Sequence, residues 1–319
     1  MRKPHSRKRG ITRRTIGDYL RTRQDVKVEH AIHQHLVRLE TLDKQNREFW
    51  RDYQFFLAME REKLLGKITE SLWAVRSQSF DFVGGRIVGS EYSKSPLCSV
   101  GSYHYPGRFN FAQIASYLPD FKALYLASDY ETAFCEKFYR RQDDVLEGLT
   151  ATELSLTPTG SFSYYRVRAK LDSVLDVRND EALAGFCEII ATVDPSFEIL
   201  MAAKRIRSAP PQTIKSVQQL RAALLEENFQ QWATWVDQPS PSQWFGHYVR
   251  LAGIQGIVYP SVRNTSGYNL SVFPDNLCDS EAEIALIDPS DSVPESDRTL
   301  NKTNHLILQN APTSIIVSH

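Results

Sequence analysis

The chain of 319 residues has few cysteines and no long apolar run. Its cysteines, Cys98, Cys135, Cys187 and Cys278, are widely spaced and form no CxxC pair, which is typical of a reduced cytoplasmic protein. No apolar stretch approaches the ~20 residues that a membrane-spanning helix needs. The basic first residues also lack the apolar centre of a signal peptide. We therefore expect a cytoplasmic protein with no membrane contact.

The chain also lacks an excess of either charge. Lys plus Arg and Asp plus Glu both number 38, so the whole molecule gives no electrostatic argument for binding nucleic acid. The distribution is uneven, however, because only basic charged residues precede the first acidic residue, Asp18. We expect residues 1–17 to form a solvated tail, with a weak contact to nucleic acid or an acidic partner as the alternative.

Several familiar catalytic motifs are absent. The sequence has no P-loop, no GxGxxG after a strand, no HExxH and no GxSxG, which excludes the common signatures of nucleotide binding, zinc proteolysis and serine hydrolysis. His30, His33 and His35 come close together, but on a helix His35 points away from the other two. No cysteine or cluster of acids completes a coordination set, so we predict no metal site.

Residues 26–78 contain one glycine, Gly66, and no proline. Apolar residues recur there at spacings of three and four, which predicts amphipathic helix, divided into two by a break near residues 44–46 or near Gly66. We expect a helical extension that docks on the core as a hairpin. Dimerisation through its apolar stripe is the main alternative.

The rest of the chain alternates between strand-like and helical segments. A second helical segment, residues 180–235, separates two groups of predicted strands and is expected to be an insertion. Residues 237–242, rich in Pro and Ser, are expected to be a linker, and the last residues a loosely packed or edge-forming tail. The predicted strands cover residues 80–90, 123–127, 162–171, 174–177, 254–260 and 268–273.

The most informative stretch runs from Tyr105 to Glu136. It contains a turn, Pro-Gly-Arg-Phe-Asn, then an apolar strand, and then a helix that begins at about Asp129. Ser128 and Glu131 have the spacing of a capping box. Glu136 lies two turns into the helix and shares a face with two small residues, so its carboxylate could border a pocket. Taken alone, a glutamate on a capped helix is usually a solvated surface residue.

The order of these segments resembles the RES domain family, the Arg-Glu-Ser toxins of bacterial toxin–antitoxin systems. The resemblance rests on Gly-Arg-Phe-Asn from Gly107, Leu-Tyr-Leu-Ala-Ser from Leu124, and Glu-Thr-Ala-Phe-Cys-Glu ending at Glu136. It also rests on a later strand that ends in Pro-Ser at Ser261 and a second that ends in Phe-Pro at Pro274. Together these segments cover about residues 80–177 and 244–274.

The resemblance implies an α+β fold with an ADP-ribosyltransferase-like mixed-sheet core. On that view residues 1–78 are a basic tail and helical extension, 79–290 the catalytic domain with its helical insertion, and 291–319 a C-terminal tail. The implied substrate is NAD, which is consumed rather than used as a cofactor. The implied reactions are hydrolysis or phosphorolysis of the nicotinamide–ribose bond, which deplete cellular NAD, or transfer of ADP-ribose to a protein. The implied partner is a helix-turn-helix antitoxin, whose surface the extra segments could alter.

The resemblance also assigns the candidate site residues. Arg86, matched by its order in the chain, Glu136 and Ser261 are the expected catalytic residues, and Arg108 and Tyr125 are expected to bind NAD. A carboxylate would stabilise the oxocarbenium-like centre, and arginines would clamp the pyrophosphate. Each has an ordinary structural alternative: an exposed turn for Arg108, the core for Tyr125, a loop cap for Ser261. A catalytically inactive binding module is the competing function.

Overall fold

Helices surround one main sheet in the part of the chain that the structure describes. The computed structural model describes residues 16–114, 118–138, 140–141, 145–146, 149–150 and 162–309. The helices there are α1 (Ile16–Lys63), α2 (Leu65–Ala74), α3 (Gly101–His104), α4 (Tyr130–Phe138), α5 (Glu181–Ile190), α6 (Phe197–Arg205), α7 (Val217–Leu224), α8 (Gln231–Val236), α9 (Pro241–Leu251) and α10 (His305–Gln309).

Eight of the described strands form one mixed sheet. The strands are β1 (Phe80–Gly89), β2 (Leu124–Ala127), β3 (Val145–Leu146), β4 (Leu149–Thr150), β5 (Phe162–Leu171), β6 (Val174–Asp176), β7 (Gly256–Pro260), β8 (Tyr268–Val272), β9 (Glu283–Ile287) and β10 (Thr299–Asn301). The sheet order is β10-β9-β5-β1-β2-β8-β7-β6, and β3 pairs with β4 apart from it. Only β6 and β7 run parallel within the sheet. The predicted α+β class with a mixed sheet is therefore confirmed.

The predicted helical insertion connects the two parallel strands. Parallel neighbours cannot be joined by a tight turn and need a long crossover, usually helical. Helices α5 to α9 form that crossover between β6 and β7. The apolar faces of α5, α7 and α9 pack with α2 on one side of the sheet in a single core cluster that includes Leu183, Phe186, Leu220, Phe245 and Ile257.

The expected linker at residues 237–242 is shorter than predicted. Helix α9 begins at Pro241, and Ser240 caps it in a capping box with Gln243. Ser240 and Ser242 are fully buried. Proline suits the first helical position, so Ser-Pro here marks a helix start rather than a spacer.

The N-terminal extension is one long helix followed by a short one. Helix α1 continues through residues 44–46, so the break predicted there is wrong. An ion pair between Arg47 and Asp43, at 3.0 Å and one helical turn apart, supports the helix at that point. The break lies instead between Lys63 and Leu65, as the Gly66 alternative predicted. Helix α2 packs on α5 and α9 whereas α1 packs on α6 and α8, so the two do not pair as the expected hairpin.

The C-terminal tail was expected to be loosely packed or edge-forming, and its described part is edge-forming; residues 310–319 lie outside the described residues. Strand β10 adds to the outer edge of the sheet beside β9, and its Leu300 is buried. Helix α10 follows, with Leu308 buried in the second core cluster, on the opposite face of the sheet from α9.

Candidate active site

A pocket of about 500 Å³ lies over the centre of the sheet. Its floor is one row of paired residues across four strands: Gly85 opposite Ala127, Ala127 opposite Asn269, and Asn269 opposite Tyr259. Residues that are paired across antiparallel strands lie on the same face of the sheet. Gly85 has no side chain, and the ring of Tyr164 occupies the place that a β-carbon there would take, so the aromatic ring covers this part of β1.

Glu136 of α4 contributes a carboxylate to the wall of this pocket. Its Oε1 accepts hydrogen bonds from Ser261 Oγ at 2.6 Å and from Asn269 Nδ2 at 3.0 Å. Its Oε2 lies 3.6 Å from Arg263 Nε. The Glu136 side chain remains 29% exposed, so the carboxylate is held by three partners and still open to the pocket.

The cap of α4 differs from the prediction. Asp129, not Ser128, accepts the hydrogen bond from Thr132 N, at 2.7 Å. Ser128 Oγ is instead the acceptor for Tyr268 N of β8, at 3.1 Å. Ser128 therefore links the start of α4 to the sheet. Asp129, a residue type that caps helices equally well, is the N-cap.

The loop between β7 and β8 is fastened to the first turn of α4. Asn264 Nδ2 donates to Thr132 Oγ1 at 2.9 Å, and Gly267 packs so closely on Thr132 that a β-carbon there would overlap it. Thr132 and Asn264 are both buried. These contacts fix the loop relative to the helix, and thereby Ser261 relative to Glu136.

Ser261 was considered either as a residue of the catalytic site or as the cap of a loop, and its hydroxyl makes the contacts of both. It follows the last residue of β7 and is buried. Its Oγ accepts hydrogen bonds from Arg263 N at 3.2 Å and Asn264 N at 3.0 Å, which is a local loop cap. The same hydroxyl donates to Glu136, so the loop cap and the carboxylate are held by one atom.

Arg108 is not an exposed turn residue, because only 6% of it is exposed. Its Nη1 donates to the carbonyls of Leu224 at 3.0 Å and Glu226 at 2.8 Å, and its guanidinium lies 4.7 Å from the centre of the Phe229 ring. Burial lowers the pKa of Arg108 from its ordinary value, and the charge of Glu136 opposes that shift. The helical crossover therefore positions a cation that lines the pocket.

Arg86 of β1 is among the residues that line the pocket. Its Nη1 donates to the carbonyls of Pro96 and Cys98, both at 3.0 Å. Burial lowers the pKa of Arg86 to about 10, so the guanidinium remains charged at neutral pH. The nearby charges are those of Lys137 and Glu91, which also line the pocket.

Tyr125 of β2 borders the pocket with its ring, while its hydroxyl is fixed by hydrogen bonds. The hydroxyl donates to Asn110 Oδ1 at 2.8 Å and accepts from Phe109 N at 3.0 Å. Burial raises the pKa of Tyr125 well above its ordinary value, so the phenol stays protonated. The structure thus brings Arg86, Arg108, Tyr125 and Glu136 to one pocket, with Ser261 directly behind the carboxylate.

Comparison with known proteins identifies the family of the domain. The RES domain family matches residues 85–294. The chain belongs to this family. No curated protein matches the chain. Among solved structures, the chain is similar to the crystal structure of the M. tuberculosis MbcT–MbcA toxin–antitoxin complex. The two share 14% sequence identity, the match covers 77% of this chain and 98% of that chain, and the TM-score is 0.35.

Two residues of this RES domain contact Glu136 and were not predicted from the sequence. Arg263 and Asn269 lie within the two closing motifs, yet nothing in their spacing showed that they reach the carboxylate. Arg263 also lies 3.4 Å from Glu227, which bonds Arg141 at 2.7 Å. Position could have indicated Asn269, because it is the second residue of β8 and lies opposite Ala127.

The described part of this RES protein offers no other site of familiar type. No group of three or more His, Cys, Asp or Glu side chains among the described residues is arranged to hold a metal ion. Within the same residues, no helix is long and apolar enough to cross a membrane. The side chain of His30 lies outside the described residues, while His33 and His35 are exposed on α1.

Proposed function

We propose that this RES protein is an NAD-consuming, toxin-like enzyme that cleaves the nicotinamide–ribose bond and so depletes cellular NAD. The observation that carries the proposal is the carboxylate of Glu136, held open to a pocket by Ser261, Asn269 and Arg263. A pocket of about 500 Å³ lies within the range of small-molecule sites, roughly 300–1,000 Å³. NAD acts here as the substrate, and no resident cofactor is required.

Glu136 would act on the bond that breaks. Loss of nicotinamide leaves positive charge on the ribose, and a fixed carboxylate nearby stabilises that charge more than it stabilises the ground state. Ser261 and Asn269 both bond Oε1, so Oε2 is the oxygen with more freedom to face the ribose or orient a nucleophile. Cleavage breaks the carbon–nitrogen bond, nicotinamide leaves with the electron pair, and water or phosphate forms the new bond to carbon.

The arginines would bind the rest of the dinucleotide. Arg86 and Arg108 each make two hydrogen bonds to main-chain carbonyls through Nη1, which fixes the direction of the guanidinium plane. A fixed guanidinium recognises phosphate oxygens by charge-assisted hydrogen bonds. Tyr125 would present its ring to the nicotinamide, since its hydroxyl is already bonded to Asn110 and Phe109.

The biological partners follow from the same proposal. A bacterial toxin that consumes NAD needs a protein that restrains it, and a helix-turn-helix antitoxin is the partner that the RES resemblance implies. A second copy of the chain is a further candidate partner.

The test is incubation of the purified protein with NAD, with and without phosphate, with separation of the products. We expect nicotinamide release that Glu136→Gln abolishes. Glu131→Gln is the matched control, because it removes a charge from the same helix at a residue outside the pocket lining. No release by the unmodified protein, or equal release by Glu136→Gln, would overturn the proposal.

The products also decide between the alternatives. Free ADP-ribose indicates hydrolysis, and a ribose-phosphate product that requires added phosphate indicates phosphorolysis. ADP-ribose attached to a protein indicates transfer, and NAD binding without turnover indicates an inactive binding module. Expression in a bacterial host, with toxicity relieved by Glu136→Ala, tests the toxin role separately.

A further inference from the structure

The first half of α1 presents an apolar stripe to solvent. Between Val28 and Leu42 the large apolar side chains are 40–56% exposed. The exposed apolar residues in this part of α1 are Val28, Ile32, Leu36, Val37, Leu39 and Leu42. Val28, Ile32, Leu39 and Leu42 lie on one face of the helix, whereas Leu36 borders that face and Val37 lies on the opposite side. Four large exposed apolar residues on one helix face are typical of an interaction surface.

The stripe has the spacing of a coiled coil. Val28, Ile32, His35, Leu39, Leu42 and Asn46 follow one another at intervals of four and three, which alternate throughout. This is a heptad pattern with Ile32, Leu39 and Asn46 at a positions and Val28, His35 and Leu42 at d positions. A single asparagine at an a position is a feature that fixes register and favours dimers.

The same face continues into the body of the molecule. The next heptad positions, Phe49 and Tyr53, are only 5% and 2% exposed and lie in or beside the small core cluster that joins α1 to α6. From Phe49 onward the stripe is therefore covered by the chain itself. The part of the stripe that is free to contact another helix ends at Asn46. In a dimer the two α1 helices must diverge beyond Asn46, because the rest of each chain packs around its own α1 there.

The flanking charges favour a second copy in parallel orientation. In a parallel pair each g position faces the e position of the next heptad on the other helix. Arg38 occupies g and Asp43 occupies the following e, so opposite charges meet on both sides of the seam. An antiparallel pair would instead bring g positions together, and Arg38 of each copy would repel the other.

We infer that this RES protein forms a parallel homodimer through residues 28–46 of α1, with the two bodies diverging beyond Asn46. The inference goes beyond the enzymatic proposal and does not depend on it. Because the same segment of each copy forms the contact, the two copies are related by two-fold symmetry and the assembly stops at a dimer.

The first experiment measures mass in solution by sedimentation with the full chain. We expect a concentration-dependent dimer that the double variant Leu39→Glu, Leu42→Glu converts to a monomer. Thr41→Glu, on the outer face of the same helix, is the control and should remain dimeric. A monomer at every concentration, or a double variant that still dimerises, overturns the inference; circular dichroism checks that α1 remains helical in each variant.

The second experiment tests orientation by disulfide cross-linking. The background carries Cys278→Ser, since Cys278 is the exposed cysteine and Cys98, Cys135 and Cys187 are buried. Ile32→Cys should cross-link rapidly under mild oxidation because a parallel pair brings this position against itself, whereas Glu40→Cys on the outer face should not. Equal cross-linking of the two variants, or none at Ile32→Cys, contradicts the parallel pair.

A charge exchange gives an independent check. In an Arg47→Ala background, which removes the ion pair that Asp43 makes on its own helix, Arg38→Glu or Asp43→Arg alone should weaken dimerisation, and the two together should restore it. Failure of the double exchange to restore the dimer would contradict the proposed facing of g and e positions.

Discussion

Ser261 Oγ donates a hydrogen bond of 2.6 Å to Glu136 Oε1, and the two residues are separated by 125 positions in the chain. The bond joins the end of a strand to the second turn of a helix. The same Oγ accepts from Arg263 N and Asn264 N, so its hydrogen is directed away from the loop and toward the carboxylate. The cap of the loop and the bond to the Glu136 carboxylate thus depend on the same hydroxyl.

Ser261→Ala should therefore lower the rate of NAD cleavage. A hydrogen bond to a charged group contributes about 1.5–3 kcal/mol, which corresponds to a fall of roughly 10- to 100-fold in kcat if the bond acts on the transition state. The KM for NAD should change less, because the arginines that bind the dinucleotide are untouched. Steady-state kinetics measure both constants.

Ser266→Ala is the matched control for this variant. Ser266 lies in the same loop, and its hydroxyl donates to Asn264 Oδ1 at 2.8 Å without contact to Glu136. We expect its kcat to stay close to that of the unmodified protein. An equal fall in both variants would mean that the loop as a whole matters, rather than the bond to the carboxylate.

Arg108→Lys should raise the KM for NAD by about tenfold or more. Lysine keeps the charge but cannot donate to the carbonyls of Leu224 and Glu226 while also presenting a planar fork to a phosphate. Arg166→Lys on β5, where the side chain is 59% exposed, is the control. Unchanged kinetics in Arg108→Lys would remove Arg108 from the NAD-binding site; a lower melting temperature would show only its structural role.

The sequence allowed the main parts of the site to be predicted because they lie in contiguous motifs. Glu136 and Ser261 were assigned by the resemblance to the RES family, which rests on the order of these motifs, and the strand or helix that carries each was predicted from apolar spacing and capping residues. The α+β class followed from the same segments. The structure places both residues together as expected. Their part in catalysis stays a prediction.

The parts that were missed depend on distant contacts. Arg263 and Asn269 reach Glu136 only after β7 and β8 pair and the loop between them closes on Thr132. The mistaken cap at Ser128 has the same origin, because Tyr268 of a strand far along the chain takes its hydroxyl. The error at residues 44–46 is a local one, because the ion pair between Arg47 and Asp43 supports helix across that polar run.

Gly107→Ala should destabilise the protein and disturb the pocket. A β-carbon at Gly107 would overlap the ring of Tyr125, whose hydroxyl is held by Asn110 and Phe109 and so cannot yield easily. Overpacking of this kind typically costs about 1–3 kcal/mol. Chemical denaturation measures the loss, and the affinity for NAD should fall with it.

Gly66→Ala is the matched control for the glycine change. Gly66 lies in α2, and an added β-carbon there would meet nothing within 4 Å. Replacing a helical glycine by alanine stabilises by up to about 1 kcal/mol, because the unfolded chain loses conformational freedom. If the two variants shift stability in the same direction, the close contact at Tyr125 is not the cause.

His247 should make the stability of the protein depend on pH between about 4 and 6.5. Only 6% of this α9 residue is exposed; its ring packs on those of Phe111, Phe121 and Trp244, and its Nδ1 has no partner among the described residues. Burial lowers the pKa of His247 to about 4, with the charge of Arg250 adding to the shift. Below pH 6.5 the unfolded chain binds a proton that the folded chain does not, so the free energy of unfolding falls as the pH falls.

The prediction is tested by comparing His247→Phe with the unmodified protein. On lowering the pH from 7.5 to 5, we expect the free energy of unfolding to fall by about 2 kcal/mol more in the unmodified protein, since one pKa unit is worth about 1.4 kcal/mol. Phenylalanine keeps the aromatic packing and removes the titration. Urea unfolding at both pH values measures the difference. If the free energy of unfolding falls equally with pH in His247→Phe and in the unmodified protein, then folding does not lower the pKa of His247.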